Sequence, residues 1–331
     1  MLNPETVAAI AMACVYGVIS GFNDGGNLIA SFTAGRVLTP RVAMAIFLVV
    51  PVGPLVLGSA VARTVGVAVI NLPAQGLLGF TMIVLASVGV VLLSWHYRVP
   101  TSMTLALVGA MLGWVLGDYS ANAIYWPGIA KVIIGMVVSV VAGGLLSYLL
   151  HRLSLVLLGH RPHGQVLGLA KFQSLSACLQ AFAYGANDMG KTIGLVAVAA
   201  HLSGSGAPLS FSSPLWVLFA FLSFALGTLV GGWSLAKRVG FGVVRLRPFE
   251  AMSSQLAAGV VVASLAMVGA PVSTTQTIDG SLVGVGVGIR ASAIRWGVVR
   301  EMVASWVITL PAALLFGLIG HLGARVILGI G

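Results

Sequence analysis

AYGANDMGKTIGL, residues 183–195, sets an amide, an acid and an amine (Asn187, Asp188 and Lys191) between apolar runs. The stretch has a counterpart. GFND at 21–24 answers GAND at 185–188, and PTSMT at 100–104 answers PVSTT at 271–275. In each half Asn-Asp comes first, and Pro-x-Ser-x-Thr then opens a Gly-rich segment of small residues, VGAMLG at 108–113 and SLVGVG at 281–286. Two motifs recurring in the same order define a repeat. Residues 1–150 form its first copy, 171–331 its second, and the polar stretch 151–170 reads as a cytoplasmic linker.

Charged residues make up 7% of the chain and hydrophobic ones 59%, against roughly 25% charged in a soluble domain. The class is therefore an all-α polytopic membrane protein. Apolar runs near 5–35, 41–62, 75–97, 100–117, 128–150, 171–202, 214–236, 249–268, 271–289 and 301–325 are each close to the ~20 residues a crossing needs. The first and sixth are longer and are interrupted by Gly, Asn and Asp, which predicts broken or re-entrant helices. Five crossings per half is an odd number, so the second half enters from the opposite face. Such an inverted repeat is a transporter signature, with the site where the halves meet at mid-membrane.

The net charge of +10 does not point to nucleic acid. Arg36, Arg41, Arg98, Arg152, Arg161, Arg245, Arg290 and Arg300 fall in short connections on one side, the positive-inside pattern. The first basic residue is Arg36, which argues against a cleaved signal peptide. Cys14 and Cys178 read as small core residues, so neither a disulfide framework nor a cysteine metal site is expected.

A proline in a helix's first turn has no N–H to lose, and the next N–H groups lack intrahelical partners. Such a start favours an oxyanion. Two of them, at Pro100–Thr104 and Pro271–Thr275, make Ser102, Thr104, Ser273, Thr274 and Thr275 candidate donors to one anion. The alternative is that their hydroxyls only back-bond to carbonyls. Asp24 and Asp188 work the other way, because an intramembrane carboxylate lines a water-filled path or binds a cation or proton. Cation and anion at one place is the physics of symport. Asn23 and Asn187 supply amide oxygens or N–H groups. Asn27, three residues after Asp24, offers a carbonyl oxygen, so Asp24 and Asn27 are the candidate Na⁺ ligands and Asp24, Asn27 and Asp188 the cation-coupling set. Lys191 holds Asn27's place in the second half and offers only donors, which reads either as a built-in cation that pairs with Asp188 or the substrate and replaces one Na⁺, or as a structural salt bridge with Asp188 that never meets substrate. Glu250 reads either as an interfacial charge partner or as functional, and Asp279 stands where the first half has Val108. Trp95, Tyr97, Tyr125 and Trp126 read as an interfacial belt.

These motifs resemble the inorganic phosphate transporter family, whose hallmark is GAND repeated in two inverted halves. The family's Asn-Asp-x-x-Asn is matched by Asn23, Asp24 and Asn27. Its Gln-Ser stretch before the second motif resembles Phe172-Gln173-Ser174-Leu175-Ser176-Ala177, and its PxSTTH segments resemble residues 271–276 closely and 100–105 more loosely. The family's His is Leu105 and Gln276 here, and Phe22, Gly25 and Gly26 also depart. The resemblance implies a secondary transporter, not an enzyme, taking up inorganic phosphate with H⁺ or Na⁺. It implies no cofactor beyond the coupling ion and places the chain in the lipid bilayer of a bacterial inner membrane. A homodimer is the assembly allowed for. Lys191 resembles the proton-coupled branch. Three alternatives are a sulfate or other oxyanion carrier, an anion channel and a membrane aspartyl protease. The protease needs paired carboxylates and has no use for two anion-type helix starts. Phosphate, unlike sulfate, carries a proton near neutral pH that it can give to Asp.

Overall fold

The computed structural model describes residues 4–35, 38–57, 59–97, 101–117, 124–158, 172–202, 209–239, 243–244 and 246–328. Every expected apolar run contains helix. The first half comprises α1 (Pro4–Ser20), α2 (Gly26–Ala34), α3 (Pro40–Phe47), α4 (Val52–Leu57), α5 (Ala60–Arg63), α6 (Gly76–His96), α7 (Met103–Gly117) and α8 (Trp126–Leu158). The second comprises α9 (Gln173–Tyr184), α10 (Gly190–Leu202), α11 (Pro214–Val239), α12 (Pro248–Met267), α13 (Thr274–Ile289) and α14 (Trp296–Leu328). Among the described residues the only β pairing is one isolated bridge, Ile70 to Ile124. Among the described residues five helices are long and apolar enough to cross a membrane, or six counting one bent pair.

The Asn-Asp motifs do not break their helices. Gly21–Gly25 and Gly185–Met189 are single π-helical turns that join α1 to α2 and α9 to α10. Val7–Thr33 accordingly runs as one 27-residue span. A π turn takes up an extra residue while keeping the backbone hydrogen-bonded, so it avoids the bare N–H and C=O groups that a break would leave in lipid. The bend lies instead within the expected run 41–62, where Arg41–Leu57 and Ala60–Ala68 meet at 73°. The expected linker is also shorter at its start, because α8 continues to Leu158 through Leu153, Leu155, Val156 and Leu157. The remainder, 159–170, lies outside the described residues.

Packing exchanges the halves. α7 lies along α14, and α13 lies along α8. A Cβ on Gly21 would strike the Phe224 carbonyl and one on Gly185 the Val50 carbonyl; likewise Gly227 faces the Val18 carbonyl and Gly53 that of Phe182. Each π turn therefore touches backbone of the other half, and only glycine permits it. Small residues at such crossings are how helices approach closely in lipid, where no hydrophobic force drives them together.

The polarity of the molecule is inverted relative to a soluble domain. Leu145, Val141, Leu226, Val230, Val307 and Ile319 are exposed, while Asn187, Asp188, Thr192, Gln180 and Gln255 are fully buried. Trp95, Tyr97, Tyr125 and Trp126 are exposed at helix ends, as a headgroup belt requires.

Candidate functional site

The two π turns present their Asn-Asp pairs to the starts of α7 and α13. Those helices begin later than the prolines suggest. α13 opens at Thr274 with Ser273 as its N-cap, and Pro271 stands upstream of the helix; Pro100 lies outside the described residues. Ser273 Oγ accepts from Gln276 N–H at 3.4 Å and Ser102 Oγ from Leu105 N–H at 3.3 Å. These are N-caps. A hydroxyl that accepts still has its proton to donate, so both serines keep an O–H to offer. The α13 ladder begins with Thr277 N–H to Ser273 C=O, so the N–H groups of Thr274 and Thr275 precede it.

Asp24 is held by three donors: Asn23 Nδ2 at 2.8 Å, Thr275 Oγ1 at 3.0 Å and Ser20 Oγ at 3.2 Å. Asn27 Nδ2 donates to Thr275 Oγ1 at 2.9 Å, and Asn23 Nδ2 also reaches the Thr101 carbonyl at 3.2 Å. The second half repeats the scheme. Asn187 Nδ2 donates to Asp188 at 3.1 Å and to the Val272 carbonyl at 2.8 Å. Its Oδ1 also accepts from Val272 N–H at 3.0 Å. Asp188 accepts from Thr274 Oγ1 at 2.7 Å and pairs with Lys191 Nζ at 2.7 Å. Lys191 further donates to Thr104 Oγ1 at 2.7 Å and to the Val272 carbonyl at 3.1 Å. Thr104 donates in turn to that same carbonyl at 2.9 Å.

Asn23, Asp24, Asn27, Thr104, Asn187, Asp188, Lys191, Thr274 and Thr275 thus form one connected, buried network, which Ser102 and Ser273 join through the helices they cap. Neighbouring hydroxyls, those of Thr274 and Thr275, bind the two carboxylates, and this brings Asp188 and Asp24 to one place. Lys191 touches Thr104 as Asn27 touches Thr275, so amide and ammonium occupy equivalent positions across the repeat. The threonine hydroxyls are not aimed at a shared point: Thr275 and Thr274 donate to carboxylates and Thr104 to a carbonyl. The carboxylates are the strongest acceptors within reach, which accounts for the difference from the expected ring of donors.

Two carboxylates against one ammonium leave the site short of positive charge. An anion arriving here is repelled unless a cation or proton comes with it. Asn27 Oδ1, buried beside Asp24, has no hydrogen-bond partner. Amide, carboxylate and hydroxyl oxygens together suit a hard monovalent cation. Among the described residues no three His, Cys, Asp or Glu side chains are grouped so that they could hold a metal ion.

Sequence reasoning missed Ser20, one turn ahead of Asp24, and the carbonyls of Thr101 and Val272. A backbone carbonyl has no side-chain signature, but Ser at four residues before an intramembrane Asp was a readable signal. The Gln-Ser stretch at 173–176 lies elsewhere. Gln173 reaches the Phe32 carbonyl and Ser176 reaches Gln255, joining α9 to α2 and α12. Glu250 accepts from the Arg247 N–H at the start of α12, a capping role.

Comparison with known proteins gives concordant results. The profile of the "Phosphate transporter family" matches residues 20–167 and 162–317. A "Probable low-affinity inorganic phosphate transporter" of Rhizobium meliloti (strain 1021) is 31% identical over 332 residues, covering 98% of each chain. A protein of the same description from Bacillus subtilis (strain 168) is 29% identical over 96% of each. A solved structure described as "The sodium-dependent phosphate transporter" superposes with a TM-score of 0.86 at 21% identity, over 98% of this chain and 100% of that one, which speaks to the fold.

Proposed function

Starting from the fact that this chain belongs to the phosphate transporter family, we propose that it is a secondary transporter that carries inorganic phosphate into a bacterial cell together with protons. Its two halves, 1–150 and 171–331, are read as inverted repeats that enclose the substrate between them. The reciprocal glycine contacts of the π turns support this, since a two-fold relation makes each half contact the other through the same surface.

The observation that carries the reading is Lys191. Its ammonium has three donors and three acceptors in reach, Asp188, Thr104 and the Val272 carbonyl. A permanent cation at the position equivalent to Asn27 does electrostatically what a bound Na⁺ would do beside Asp188. The remaining carboxylate, Asp24, is left to be balanced by a cation that travels with the anion. A proton carried on phosphate serves, and sulfate has none to bring near neutral pH. The N–H groups of Thr274 and Thr275 and the hydroxyls of Ser102 and Ser273 are the proposed anion donors, since a helix start favours an oxyanion.

Counterflow tests the class of transport. Vesicles loaded with unlabelled phosphate are expected to take up labelled phosphate transiently above equilibrium, as a carrier does. Simple equilibration with no overshoot would mean a channel, and the symport reading would fall.

A further inference from the structure

Asp279 in α13 is 2% exposed, and neither carboxylate oxygen has a hydrogen-bond partner. The equivalent position of the first half is the buried apolar Val108, so this acid is no part of the repeated scheme. It follows Thr275 by one helical turn on the same face, and Thr275 donates to Asp24. Asp279 also lines a cavity of about 350 Å³ between α8, α13 and α14, together with Val140, Tyr148, Val287, Val299 and Trp306 among others. From Asp279 to Val287 the cavity follows α13 for roughly 12 Å, at 1.5 Å of rise per residue, toward the helix end where Arg290 is exposed.

We propose that Asp279 is a proton-binding site between the phosphate site and the membrane surface, served by this cavity. The proposal rests on the uptake reading and deepens it. A bare ionised carboxylate in an apolar wall is costly, so the group carries charge only when a cation accompanies it. Besides Asp279 only Tyr148 brings a side-chain oxygen to the cavity wall, too few ligands for Na⁺, whereas a proton needs none. Groups that titrate or bear charge on the elements packed against α13 are Lys131, Tyr148, His151 and Arg152 of α8 and Glu250 of α12, and the buried Tyr184 at the end of α9 stands close enough to feel the charge of Asp279. Across the cavity, α14 carries Arg300 and Glu301, both exposed. None is a hydrogen-bond partner of Asp279, and Glu250 is engaged at the Arg247 N–H. The Asp279 carboxyl is thus free to gain and lose a proton without breaking another contact, one turn from the threonine that holds the carboxylate whose charge the coupling must balance.

The test measures labelled phosphate entry and internal acidification together, in vesicles holding the full-length protein and a trapped pH dye. In Asp279→Asn the protons gained per phosphate are expected to fall about twofold or more, because the isosteric amide cannot load one, and Asp279→Glu is expected to restore the wild-type ratio. An unchanged ratio in Asp279→Asn overturns the proposal. So does loss of phosphate entry in both variants, which would mark Asp279 as structural. A wild-type protein that moves no phosphate would instead overturn the transport reading itself.

Discussion

Lys191 is 1% exposed and fully engaged, and an apolar substitute deprives its three acceptors of that donor. Lys191→Met strands Asp188 as a buried uncompensated charge, at a cost of about 3–5 kcal/mol; thermal unfolding in detergent should show it as a large drop in Tm. Lys191→Asn differs, because it rebuilds in the second half what Asn27 makes in the first. Its uptake is expected to fall about tenfold or more in Na⁺-free medium and to recover when Na⁺ is added. Wild-type uptake by this variant, indifferent to Na⁺, would contradict the built-in cation. Asp24 makes a complementary case. Three donors converge on its oxygens, and Asp24→Asn turns an amide N–H toward some of them. Uptake should drop by roughly two orders of magnitude, the equivalent of one ~3 kcal/mol charged contact. Wild-type rates there would remove Asp24 from the mechanism.

At the scale of elements, what decides the geometry is the close approach of the π turns to backbone of the opposite half. Gly185→Ala drives a Cβ into the Val50 carbonyl, and overpacking of this kind costs about 1–3 kcal/mol or more. Gly297 in α14 has open space within 4 Å of the point where a Cβ would stand, so Gly297→Ala is the control and should hold or slightly raise the Tm, as helix propensity alone would. A Gly185→Ala protein as stable as Gly297→Ala would contradict this packing. The sequence made these elements legible where chemistry repeats, as in the paired Asn-Asp motifs, the Ser-x-Thr starts and the equivalence of Lys191 with Asn27. It misled where geometry had a choice. Gly, Asn and Asp within an apolar run weaken an α-helix in either case, and nothing local distinguishes a break from a π turn that keeps its hydrogen bonds. Proline marked the approach to a helix start, but the cap fell to Ser273, whose side chain can bond to the open turn. The Val272 carbonyl, which gathers Lys191, Asn187 and Thr104, was invisible because its side chain has no part in it.

For the molecule as a whole, an apolar exterior surrounds a polar centre in which two carboxylates are met by one ammonium. An anion can be accommodated there only with a positive companion, and on the proposed reading Lys191 takes one of the places where Na⁺ would serve. The coupling ion and the substrate are thus one electrostatic question. Phosphate brings its own proton and sulfate does not, so selectivity and coupling should appear together. The most direct measurement is uptake of labelled phosphate by the purified protein in liposomes, under separately imposed proton and Na⁺ gradients, with excess unlabelled phosphate or sulfate as competitor. An inward proton gradient should drive accumulation at least as strongly as a Na⁺ gradient, with phosphate competing and sulfate not. Accumulation driven by Na⁺ alone and indifferent to pH, or sulfate competing as well as phosphate, would contradict it.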